Sequence, residues 1–167
     1  MTATDNFERT ANTPQAWELS SRELWTAAQI LKDRRLVVDN SAALKDGDPV
    51  PPELTVRPVE MMLRGFALEN LLKALWVKQK NPIVSGNKYI GVTGAGDHDL
   101  VQLADAVGLP TGPESRDVLK RLSAFITFVG RYPIPAHAQR GLGVWWRTPL
   151  DDETLNAISQ NLQDKLA

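Results

Sequence analysis

Apolar residues recur along the chain at intervals of three and four, the period of a helix and not of a strand. From Arg57 to Lys80, RPVEMMLRGFALENLLKALWVKQK, they do more than line one side. At 100° per residue, Val59, Leu63, Phe66 and Val77 fall on one stripe, and Met61, Leu68, Leu72 and Leu75 on another. A helix that is apolar round most of its circumference belongs inside a bundle. Asn70 falls within the first stripe, so the pattern predicts a buried amide that must find partners. Glu69 and Lys73 stand one turn apart on a neighbouring face, in the favourable i,i+4 order.

Other helices are predicted around this one. Met1 to Thr13 is polar and reads as a flexible arm. Thr13 as N-cap and Pro14 at the first helical position open a helix reaching about Val38, with Trp17, Leu24, Ala28 and Leu31 on one face. Asp39 to Thr55 holds Gly47, Pro49, Pro51 and Pro52, a long connection. The central helix stops near Asn81-Pro82, because the residue before proline avoids helical geometry. The loop from Ile83 to Gly96 carries four glycines, and Tyr89-Ile90-Gly91-Val92 suits a short extended piece. Asp97 is the expected N-cap of a short helix with Leu100, Leu103, Ala104 and Val107 inward and Gly108 closing it. A further helix runs from Glu114 to Val129, with Gly130 as its cap. Pro133 and Pro135 interrupt RYPIPAHAQRGLGVWWRTP. Asp151 or Asp152 then caps a last helix carrying Leu155, Ile158, Leu162 and Leu166. The expected fold is all-α: a four-to-five-helix up-and-down bundle with long loops, residues 14–167 forming one domain. Helix pairs about the central helix are expected to be antiparallel.

Composition narrows the chemistry. The 167 residues include no cysteine, which excludes disulfides, thiolate metal sites and cysteine nucleophiles. With only two histidines, no metal site is expected. No cofactor is indicated. The chain shows neither an apolar run of about 20 residues nor a signal-like start, so a soluble cytoplasmic protein without membrane contact is the simplest expectation. The net charge of −1 hides an asymmetry: between Arg116 and Arg147 lie six basic residues and one acid. Such a segment suits either a nucleic-acid contact or a solvated face.

Four features are candidates for chemistry. The glycine-rich loop lacks GxxxxGK[ST] and a preceding strand, and Asp97 and Asp99 would repel an anion, so a connection is expected there. His98, between those two acids, is either a functional imidazole or a histidine packed at a helix start and bonded to backbone. Arg131 and His137 have the spacing R-x5-H. An arginine that binds phosphate and a histidine that exchanges protons can cleave RNA without metal, using the ribose 2′-OH as nucleophile. The plain alternative is an arginine capping a helix end and a histidine exposed in a loop. Trp145 and Trp146, next to Arg147, suit base stacking, a docking surface or cover for the core.

Gly65-Phe66-Ala67-Leu68-Glu69-Asn70-Leu71-Leu72-Lys73-Ala74-Leu75, followed by His98-Asp99-Leu100-Val101-Gln102-Leu103 and then Arg131-Tyr132-Pro133, resembles the HEPN superfamily over roughly Trp17 to His137. The resemblance implies a helical bundle, often dimeric. It implies RNA as partner and, in many members, metal-independent endoribonuclease activity in toxin–antitoxin, defence or stress systems, some with an antitoxin partner. The family's R-x4-6-H motif maps here onto Arg131 and His137 as catalytic pair, with Glu69 and Asn70 shaping the site and Lys73, His98, Tyr132, Trp145, Trp146 and Arg147 as binding candidates. Tyr132 and the two prolines in the spacer depart from the family pattern. Two other readings stay open: a non-catalytic interaction or dimerisation module docking near Trp145 and Trp146, and a small-ligand or nucleotide pocket lined by Asn70, His98 and Arg131.

Overall fold

The computed structural model describes residues 3–41, 49, 51–131 and 149–167. Among them the chain is all-α apart from one small hairpin. The helices are α1 (Ala3–Ala11), α2 (Pro14–Ser41), α3 (Arg57–Lys78), α4 (Leu100–Ala106), α5 (Pro113–Ala124) and α6 (Leu150–Leu166), with a 3₁₀ turn at Pro52–Thr55. Beyond Ala124 the chain continues in wider π turns through Phe125–Val129, so that the Gly130 amide reaches back five residues to the Phe125 carbonyl. The described helices include none long and apolar enough to cross a membrane.

Helix α3 is the centre, as its apolar circumference requires, and α2, α4, α5 and α6 all pack on it. Met61, Leu68 and Leu72 are fully enclosed. The other stripe is less covered: Val59 is exposed, and Leu63, Phe66 and Asn70 are only half-buried. Asn70 is therefore not the buried polar residue of this helix. Glu60, Arg64, Glu69 and Lys73 are the buried ones, and the last two are covered because the hairpin loop and the start of α4 close over their face.

Side-chain contacts fix the helix directions. Ser21 donates to the Ala67 carbonyl and Arg35 meets Glu60, so α2 runs antiparallel to α3. Gly130 lies against Met62 and Gly65 against Ile126, so α5 is antiparallel too. Arg64 faces Asp152 while Lys78 donates to the carbonyls of Lys165 and Leu166, so α6 is parallel to α3, against the expectation for every pair. The four long helices thus alternate up and down. Gly65 permits the close approach of α3 and α5: a Cβ there would lie 2.6 Å from Ile126 Cγ1. Gly130 has right-handed φ/ψ and is no left-handed cap; Met62 fills the space beside it.

The ends differ from expectation in instructive ways. Residues 3–11 are helical where the sequence suggests a flexible arm. The Asn12 side chain ties this start to the hairpin, accepting from the Ile83 and Val84 amides and donating to the Val84 carbonyl at 2.8 Å. One amide side chain does the work of a strand, and hydrophobic periodicity carries no trace of it. Thr13 donates to the Arg9 carbonyl, serving the end of α1. Strands β1 (Val84–Ser85) and β2 (Lys88–Tyr89) pair antiparallel across Gly86 and Asn87, both at positive φ, as a two-residue hairpin turn demands. Asp99, not Asp97, caps α4: its Oδ1 accepts from the Val101 and Gln102 amides. Neither Asp151 nor Asp152 caps α6. Both lie in its first turn, buried in ion pairs.

Candidate functional site

Two groups of charged side chains are set along α3, each built on a Glu followed four residues later by a base. The first is Glu60–Arg64. Arg64 is 1% exposed, with its Nη2 3.3 Å from Glu60 Oε1 and its Nη1 3.8 Å from Asp152 Oδ1. Arg35 meets Glu60 from α2 and Lys32 meets Asp152. The Arg64 guanidinium lies over the Trp25 ring. Arg64 Nη2 and Glu60 Oε1 are close enough for ionic attraction but lack hydrogen-bond geometry. The Glu60–Arg64 pair at its centre is sealed inside the bundle, while Lys32 and Asp152 reach the bundle's edge.

The second group is Glu69–Lys73, some two to three turns further along. Lys73 donates to Glu69 Oε1 at 2.7 Å and sits 3.6 Å from Asp97. Its ammonium lies between the Trp17 and Tyr89 rings, about 5.5 Å from each centroid. Burial works to lower the Lys73 pKa, but the Glu69 charge and hydrogen bond outweigh it and hold the value above the ordinary 10.5. The Tyr89 hydroxyl bonds the Asp97 carboxylate, and burial together with that bond raises its pKa. On the other Glu69 oxygen rests His98, Nδ1 to Oε2 at 2.9 Å. Phe66 meets the imidazole edge-on at 5.8 Å.

His98 therefore bonds a carboxylate and not the backbone expected for a packed histidine. It stands where the chain leaves the loop, one residue before the Asp99 cap, and α4 is pinned in turn by Ser123, whose hydroxyl accepts the Leu100 amide. Its side chain is 41% exposed while that of Glu69 is 5%. A buried carboxylate thus holds an imidazole whose other edge is open.

Of the residues singled out by sequence, the structure brings Glu69, Lys73 and His98 together. Asn70 lies half-buried beside them. Arg131 is at the far end of α5, where it is exposed and donates to the Thr127 carbonyl at 3.3 Å, a contact of the kind that caps a helix end. Gly130 packs on Met62, which puts Arg131 roughly 10 Å from Glu69 measured along α3. His137, Tyr132, Trp145, Trp146 and Arg147 lie outside the described residues. The basic segment is partly neutralised: Arg116 pairs with Asp105 and Arg121 with Asp117 and Asp151. Asp97, Tyr89, Trp17 and Phe66 belong to the cluster and were not singled out. Asp97 was legible only as a cap, and the rings approach from distant segments. A cleft of about 520 Å³ lies elsewhere, bordered by Asn12, Gln15, Glu18, Lys80 and Asn81. It is lined by none of Asn70, His98 and Arg131.

Comparison of the chain with protein-family models, with curated proteins and with solved structures finds no match.

Proposed function

We propose that the chain is a HEPN-like protein that binds RNA and cleaves it without a metal ion, with Arg131 holding the scissile phosphate and His137 moving a proton. The observation that supports this reading is the meeting of the two stretches that carry the resemblance. Glu69 and Lys73 of the central helix and His98 of the His-Asp-Leu turn, 29 residues from Glu69, share one cluster. As the reading has it, the protein works in the cytoplasm as a homodimer, in a toxin–antitoxin, defence or stress setting with an antitoxin as protein partner.

Purified protein incubated with mixed RNA in EDTA tests the reading. Cleavage that disappears in Arg131→Ala and His137→Ala supports it. No cleavage by the wild type, or equal cleavage by both variants, overturns the enzymatic reading. A chain that neither cleaves nor retains RNA in a gel-shift assay is a non-catalytic interaction module, and sedimentation then asks whether it pairs with itself.

A further inference from the structure

We infer that His98 is the base of this reaction and Glu69 its positioning residue: buried Glu69 takes Nδ1–H of His98 and leaves Nε2 as the proton acceptor for an RNA 2′-hydroxyl. The inference rests on the RNA reading proposed above and adds a group which that reading does not use.

Three observations carry it. First, the imidazole is held, not loose. Glu69 bonds one edge at 2.9 Å, and Phe66 meets the ring at 77°. A carboxylate on Nδ1 fixes the tautomer that carries its proton there, so the Nε2 lone pair is the basic one. Second, Nε2 has no hydrogen-bond partner among the described residues, and the side chain is over one-third exposed. A histidine retained only to fasten α4 to α3 would be served as well by an amide. Third, the carboxylate is committed. Its other oxygen is taken by Lys73, whose ammonium is enclosed by two aromatic rings and borders Asp97. Glu69 therefore cannot swing away from His98 without leaving Lys73 behind.

The step balances as follows. The 2′-O–H proton passes to Nε2 of His98, the 2′-oxygen bonds phosphorus, and the P–O5′ bond breaks. The departing 5′-oxygen takes a proton from solvent water, and the hydroxide left behind recovers the proton that His98 took. The products are a 2′,3′-cyclic phosphate and a 5′-hydroxyl, with no oxidant, reductant or metal consumed. The charged and titratable groups facing His98 are Glu69 and Lys73 of α3, Tyr89 of β2, and Asp97 and Asp99 of its own loop.

The experiment compares wild type, His98→Gln, His98→Ala and Glu69→Gln on a short single-stranded RNA in EDTA. Kd is measured alongside kcat, and folding is checked by circular dichroism. Expected are a fall in kcat of about 100-fold or more for His98→Gln with Kd within about twofold. Added imidazole should partly restore His98→Ala. Glu69→Gln should lower kcat and leave Kd within about twofold. His98→Gln within threefold of wild type, with no imidazole rescue of His98→Ala, overturns the inference and leaves the RNA reading standing. Wild type that does not cleave overturns both. If His98→Gln does not fold, imidazole rescue of His98→Ala and the loss of kcat without loss of Kd in Glu69→Gln decide.

Discussion

The two Glu-to-base pairs of α3 share a spacing and a helix, yet they differ in everything around them. Glu60–Arg64 meets its further partners, Arg35 and Asp152, from two other long helices, and the pair itself is almost wholly buried. Glu69–Lys73 meets a loop, and through His98 it reaches the surface. A charge enclosed on every side can only hold helices in register. A charge enclosed on three sides, with an ionisable ring on the fourth, can hold that ring for use. The i,i+4 spacing is the same in both, so the difference is made by what covers each pair.

The comparison can be broken from its sealed end first. Arg64→Ala should cost about 3–5 kcal/mol, because Glu60 and Asp152 keep their burial and lose a cation. Urea denaturation would measure it, and a loss below about 1 kcal/mol would mean that the group is not sealed. Gly65→Ala comes next, at about 1–3 kcal/mol, since fully buried Ile126 must yield to the new methyl. Glu69→Gln should cost less than Arg64→Ala, about 2 kcal/mol, because Asp97 stays beside Lys73 and water reaches the cluster through His98. Since Glu69 holds the Lys73 pKa up, that stabilisation is complete below the ordinary 10.5 and fades as pH rises through the raised value. An alkaline melting series should show the fade in wild type and not in Glu69→Gln. The smallest effect belongs to the exposed Asp105–Arg116 pair. The Arg116 hydrogen bond holds the Asp105 pKa below its ordinary 3.8, so the pair helps above that value and stops helping as pH falls through the lowered one. Asp105→Asn should be barely measurable at neutral pH, and absent in high salt.

The central helix was legible because its apolar residues leave no face free, and the all-α fold follows from the same period. The cluster was half legible. Glu69, Lys73 and His98 stood out as polar residues in informative places, but the wheel of α3 pointed to Asn70 as the buried one. A wheel records angle and not cover, and the cover over Glu69 comes from a loop 20 to 30 residues further on. Asp97 and Asp99 flank His98 equally in sequence. Only the backbone decides that Asp99 turns to the α4 amides while Asp97 turns to Tyr89 and Lys73. The first helix was hidden for a related reason, since its anchors include the Asn12 side chain bonding the hairpin and the Trp17 ring bonding the Ala11 carbonyl.

Histidine ¹⁵N resonances, recorded near pH 8 while a short single-stranded RNA is added, test the central claim most directly. The account predicts that free His98 carries its proton on Nδ1, that its Nε2 signal moves as RNA saturates, and that the Arg64 Nε signal stays still. An Nε2-protonated His98, or an imidazole unmoved at RNA concentrations that saturate binding, would contradict it.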